Sequence, residues 1–257
     1  MEENIAPDGA QAAAIQAPTM SFFQRLSGIY TTPQKTFEDI GRKPSWVGMF
    51  VIIAILALLM INLLPYRMGP DIYKEKAREA IPSFAASRMT PEQMDQAMEQ
   101  SLSPTRRITT MVLTPVMQLV VFMIVAGAFL LVFVILGGQL TFKKSLAVTM
   151  WGLVPPGIVS SILTIIIMFV KDPSSLEIDP SGILASNLGM LVSRKEHPAL
   201  ASLLGSIDIF SFWAICMLTI GFAAVSEGKL TRGKAMAGVV VLWAIYVLGK
   251  VGWYSIF

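Results

Sequence analysis

Five long apolar runs decide what this chain can fold into: Trp46 to Leu64, Ile108 to Leu136, Leu146 to Val170, Ile207 to Val225 and Ala235 to Ile256. The first three contain no charged residue. A bilayer's hydrocarbon core is about 30 Å thick, and a helix needs about 20 apolar residues to cross it. Each run is long enough, and none alternates in polarity as a barrel strand would. Backbone polar groups in lipid must be satisfied within their own segment, so continuous runs of this kind become helices. The fold class that follows is all-α: a polytopic integral membrane bundle of five transmembrane helices, with short interfacial helices outside it. Hydrophobic residues make up 54% of the chain against 14% charged, which excludes an ordinary soluble domain as the alternative.

The runs carry few irregularities. Pro115 near the start of the second and Pro155 and Pro156 in the middle of the third are candidate kinks, because proline removes a backbone donor and crowds the preceding turn. Gln118 is a polar residue within a span, where one amide more often bonds a neighbouring helix than a substrate. Two charges fall inside the runs, Asp208 and Lys250. The fourth and fifth runs are antiparallel neighbours across a short loop, and at 1.5 Å per residue the two charges stand nearly level. They are expected to pair if their faces match; otherwise Lys250 reaches the interface beside Trp253 and Tyr254 while Asp208 caps a helix start.

Orientation follows from basic residues, which collect on the cytoplasmic side. The loop 137–145 carries Lys143 and Lys144, and 226–234 carries Lys229, Arg232 and Lys234 against Glu227. Arg25, Lys35, Arg42 and Lys43 lie before the first span, on the same side. A cytoplasmic N-terminus and an exported C-terminus are expected. The net charge of +3 then reflects loop placement, with no call for nucleic acid as a partner.

Outside the runs the chain divides into three parts. Residues 1–20 are acidic and Ala-rich, lack the basic start and apolar core of a signal peptide, and read as a disordered tail. Residues 21–44 place Phe22, Phe23, Leu26, Ile29 and Tyr30, then Phe37 and Ile40, at helical spacing on either side of Pro33. Two amphipathic helices lying at the cytoplasmic interface fit this, with Phe22, Phe23 and Trp46 as anchors there and Trp253 and Tyr254 at the other face. The remainder, 45–257, is the membrane domain with two exported loops, 65–107 and 171–206. In the first of these, Thr90-Pro91-Glu92-Gln93 is a capping box that starts a helix, and a second short helix is expected over Asp71 to Ala80. The second loop offers pieces too short to span, read as interfacial helices.

Catalysis has little material. The single His197 lies beside Pro198 and the single cysteine, Cys216, lies within an apolar run, so no triad, disulfide or metal cluster can be assembled from them. No phosphate-binding loop or nucleophile elbow occurs. The expectation is no enzyme, no cofactor and no metal.

Three stretches carry a resemblance. They are Phe23 to Trp46, with Pro33, Phe37, Ile40 and Pro44-Ser45-Trp46; Gly137 to Ile158, a Gly-rich turn and basic loop leading to the Pro-containing span; and Ser206 to Gly221, followed by a basic loop and a final span. Together they make the chain resemble the bacterial branch of the Yip domain family (Ypt-interacting proteins), over about residues 21–256. The resemblance implies five spans and no catalytic residues. It also implies, from some bacterial relatives, an accessory subunit of an ABC-type exporter in the cytoplasmic (inner) membrane. The partners expected are the bilayer and a membrane protein such as exporter components, with a homo-oligomer also open. A small transporter or lipid-moving protein in its own right, or a membrane-shaping scaffold, are the alternatives.

Overall fold

The computed structural model describes residues 19–81, 88–101, 103–193 and 196–256. The tail 1–20 therefore lies outside the described residues except for its last two. Eleven α-helices stand among the described residues. They are α1 (Phe22–Thr31), α2 (Pro33–Arg42), α3 (Val47–Met68), α4 (Pro70–Glu79), α5 (Pro91–Ser101), α6 (Pro104–Ile135), α7 (Phe142–Val170), α8 (Pro180–Leu184), α9 (Pro198–Leu204), α10 (Ile209–Val225) and α11 (Arg232–Ile256). Single 3-10 turns occupy Pro173–Ser175 and Leu188–Leu191.

Among the described residues, four helices are long and apolar enough to cross a membrane: α3, α6, α7 and α11. The fifth apolar run gives a shorter element. α10 has 17 residues, about 25 Å at 1.5 Å per residue. It begins at Ile209, not Ile207, because Asp208 takes the N-cap position with extended backbone. The packing register adds to this. A Cβ on Gly152 of α7 would stand 2.7 Å from Leu218, and one on Gly221 of α10 would stand 2.7 Å from Val148. In an antiparallel pair this sets Ile209 level with Ser160 or Ser161, so α7 continues about 15 Å past the start of α10. Between the end of α7 and the start of α10 the chain forms α8, α9 and the 3-10 turns, and Asn187 makes an isolated antiparallel bridge to Asp208.

The prolines do not break their helices. α6 runs through Pro115, and α7 runs through Pro155 and Pro156. The two adjacent prolines remove the donors that would have met the carbonyls of Trp151 and Gly152. The carbonyl of Pro155 itself accepts from the Tyr30 hydroxyl at 3.2 Å.

The core is aromatic. Phe129 and Phe133 of α6 meet Phe222 of α10, with ring centroids 4.9 and 4.4 Å from it. Trp151 of α7 is fully buried. Close helix approach at α10 depends on Gly221, where a Cβ would also lie 2.8 Å from Cε1 of the fully buried Phe37. Gly221→Ala is expected to cost about 1–3 kcal/mol through overpacking, seen as a lower Tm in mild detergent. Gly249→Ala, with open space around its Cβ, is the control and leaves Tm unchanged or slightly raised.

The two extramembrane ends differ. At one end α1 and α2 sit beside the loops 137–145 and 226–234. At the other, α4 and α5 pack together, and Thr90 and Gln93 form the capping box: Gln93 N–H donates to Thr90 Oγ1 at 3.3 Å, and Thr90 N–H to Gln93 Oε1 at 2.9 Å. Below this pair, Leu64, Met68, Met168, Leu176 and Ile183 make a small second core, and Arg67 donates to the carbonyl of Lys171 at 3.0 Å.

Candidate functional site

The most polar buried arrangement is the joint between the N-terminal helix pair and the bundle. α1 starts with a complete capping box, Ser21 with Gln24, and its apolar stripe carries one charge, Arg25. α2 starts at Pro33, which suits the first helical position because its missing donor would be unpaired anyway. Its buried stripe of Thr36, Phe37 and Ile40 also carries one charge, Asp39. Arg25 is 3% exposed and Asp39 0%. Arg25 Nε meets Asp39 Oδ2 at 2.7 Å. The same guanidinium donates to the carbonyl of Lys43 at 3.0 Å, to Ser45 Oγ at 2.7 Å and to the Asp39 carbonyl at 3.3 Å. Asp39 Oδ1 accepts from the N–H of Met20 at 3.2 Å and pairs with Arg42 at 3.4 Å. Ser45 is tied in turn to α7, because its carbonyl accepts from Trp151 Nε1 at 2.7 Å. One buried charge pair thus fastens α1, α2, the entry to α3 and the middle of α7.

The apolar faces of these two helices are turned to the bundle. Their apolar residues Ile29, Phe37 and Ile40 are fully buried in protein. The amphipathic pattern fixes which face is apolar; here the bundle, not acyl chains, covers it. Phe22 packs over Gly48 and against Trp151 at a ring distance of 5.7 Å. Trp46 packs on Phe50 at 6.2 Å. Phe23 alone of the expected anchors at this end is open, at 78% exposure. Trp253 and Tyr254 near the end of α11 are exposed.

The intramembrane polar residues are dispersed. Gln118 on α6 and Thr149 on α7 each have a buried side-chain oxygen without a hydrogen-bond partner, as does Thr219 on α10. At the other end of α10, Asp208 Oδ1 is buried without a hydrogen-bond partner, and its side chain makes no capping bond. Lys250 Nζ lies 3.5 Å from Ser206 Oγ, two residues before Asp208. Among the described residues, no group of three His, Cys, Asp or Glu side chains is placed to hold a metal ion.

Two loops meet at the end that carries α1 and α2. Lys144 Nζ contacts Glu227 Oε1 at 2.6 Å, which puts 137–145 and 226–234 on one face. The hydrogen bond from Lys144 and then its charge hold the Glu227 carboxyl below its ordinary value. The sign follows from the lowered value. The contribution of the pair is present above the unfolded-state value and fades as pH falls through the lowered one. Lys144→Gln should return the Glu227 titration to the ordinary carboxylate range, read by NMR of a labelled side chain.

The structure thus defines an all-helical integral membrane protein with a helical pair clamped to one end of the bundle. The Yip1 domain profile matches residues 27–253. The chain belongs to the Yip1 domain family. It is similar to "Membrane protein YknW" of Bacillus subtilis (strain 168), 24% identical over 230 residues that cover 87% of each chain. No solved structure matches it.

Proposed function

We propose that this chain is a non-enzymatic accessory or interaction subunit of a membrane transport complex, such as an ABC-type exporter, in a bacterial cytoplasmic (inner) membrane. The observation that supports this most is the packing at the end of the bundle that carries α1 and α2. Phe129 and Phe133, in the last two turns of α6, meet Phe222 in the last turn of α10, and aromatic rings packed to protein density leave little room for a substrate to enter or leave at that end. Polar groups are concentrated in the two extramembrane layers, which are the parts able to meet a partner. The test is co-purification of the full chain in several mild detergents followed by mass spectrometry. Recovery of the chain alone in every one of them refutes the reading. A continuous hydrated cavity reaching the membrane middle would favour a transporter instead.

In this reading α10 completes five crossings, with the N-terminus cytoplasmic and the C-terminus exported. The Lys144–Glu227 contact supports one basic face, and the contact of Arg232 with Gln34 adds α2 to it. Reporter fusions at the two ends giving signal on the same side would refute the odd number of crossings. Asp208 and Lys250 act as a pair at the opposite face. The position of the ammonium beside Ser206 supports it, and a double-mutant cycle of Asp208→Asn and Lys250→Met showing no coupling would remove it.

A further inference from the structure

An open cleft of about 540 Å³ lies where α2 meets α10 and the first turn of α11, lined by Thr32, Gln34, Lys35, Glu38, Ile220 and Arg232. A smaller extension continues along Ala223, Ala224 and Leu230. The walls are of two kinds. One is cationic. Arg232 donates to the neutral amide of Gln34, so its charge is not cancelled there, and Lys35 is exposed with no ion pair to it among the described residues. The single carboxylate, Glu38, accepts from Gln34 Nε2 at 3.2 Å. The other wall is apolar, from Ile220 to Leu230.

The position of the cleft matters as much as its lining. Arg232 opens α11, one of the four helices long enough to cross the bilayer, so the cleft stands at the level where a spanning helix leaves the membrane. Arg232, Met236 and Val240 follow at four-residue spacing and therefore share one face of α11. Met236 is 55% exposed and Val240 37%. A cation at the surface with an open apolar stripe running from it into the hydrocarbon has the layout of an amphiphile: charged head, then chain.

We propose that this cleft binds the phosphate of an anionic membrane lipid, with Arg232 and Lys35 on the phosphate and the acyl chain along Met236 and Val240. Arginine suits this task because its planar fork donates two parallel bonds to phosphate oxygens. A partner is not needed for this site, so it stands or falls separately from an accessory role in transport.

The test is native mass spectrometry of the purified full chain titrated with phosphatidylglycerol or with phosphatidylcholine of the same acyl chains. Wild type should retain phosphatidylglycerol more tightly. A basic residue near a membrane surface contributes about fivefold, so Lys35→Gln with Arg232→Gln should weaken phosphatidylglycerol binding on the order of 25-fold and erase the preference. Lys35→Arg with Arg232→Lys should keep most of it. Lys143→Gln with Lys229→Gln, on the same face but outside the cleft, should shift binding by less than about threefold, since remote exposed charges are screened. Unchanged thermal unfolding of the cleft variant shows that it folds. Three results overturn the proposal: no lipid preference in wild type, equal loss from the two pairs of substitutions, or displacement of the lipid by inorganic phosphate at equal concentration, which would make the site one for free phosphate.

Discussion

Asp39→Ala should destabilise the protein by about 3–5 kcal/mol, the cost of leaving the buried Arg25 guanidinium without its partner, and Arg25→Ala should cost less, because Asp39 keeps Arg42 at 3.4 Å. Few single substitutions at this chain's polar positions should do more. Asp39 is fully buried, and its removal would strand a guanidinium that bonds four groups across α1, α2 and the entry to α3. Arg25→Lys should cost nearly as much as Arg25→Ala, because an ammonium cannot reach the Lys43 carbonyl, Ser45 and the carboxylate in the fixed geometry of the fork. The double replacement Arg25→Met with Asp39→Leu separates charge pairing from general packing. Apolar replacement of a whole buried pair is often neutral or better, so the double variant should recover most of the loss of either single. Thermal unfolding in one detergent measures all four variants. A double variant as unstable as the sum of the singles would show that the pair holds the joint through something other than mutual compensation of charge.

That joint also shows where the sequence runs out. The long runs were legible because lipid demands unbroken apolar length, and counting residues is enough to find α3, α6, α7 and α11. The capping box at Thr90 was legible because its chemistry is local. α1 and α2 were legible as helices from the spacing of Phe22, Ile29, Phe37 and Ile40, but an apolar stripe does not say what will cover it. Protein, lipid and a partner are all apolar solvents. Arg25 illustrates the consequence. Among the basic residues before the first span, it is the one that meets Asp39 inside the joint at 2.7 Å. The signal was present: Arg25 shares the stripe of Phe22 and Ile29, and Asp39 sits between Phe37 and Ile40. A charge on an apolar stripe is expensive unless paired, and two such stripes on adjacent helices imply each other. The start of α10 was legible only as one of two readings. Ile207 and Asp208 extend an apolar count, while Asp208 at a helix start was the alternative; it stands at the N-cap position, though its side chain makes no capping bond.

Trp151→Ala should cost about 3–5 kcal/mol, with an effect that spreads beyond α7. The indole is fully buried and meets two other parts of the chain. Phe22 of α1 lies on its ring, and the Ser45 carbonyl before α3 accepts from its Nε1. That same residue's hydroxyl accepts from Arg25. Truncation would therefore open a cavity and also loosen Ser45, which the charge pair needs in place. Trp151→Phe keeps most of the ring volume and removes the donor; Ser45 is exposed, so water can take its carbonyl and the cost should be smaller, about 0.5–1.5 kcal/mol. The coupling is the decisive quantity. Residues in contact show interaction energies of about 0.5–3 kcal/mol in double-mutant cycles, so Trp151→Ala combined with Phe22→Ala, whose rings meet, should cost less than their sum. Phe222→Ala removes a core ring that meets Phe129 and Phe133 instead and should combine with Phe22→Ala additively. Additivity in both cycles would mean that Trp151 fills space and no more. Coupling confined to the first would make the indole the link by which the N-terminal helices are held to the membrane bundle.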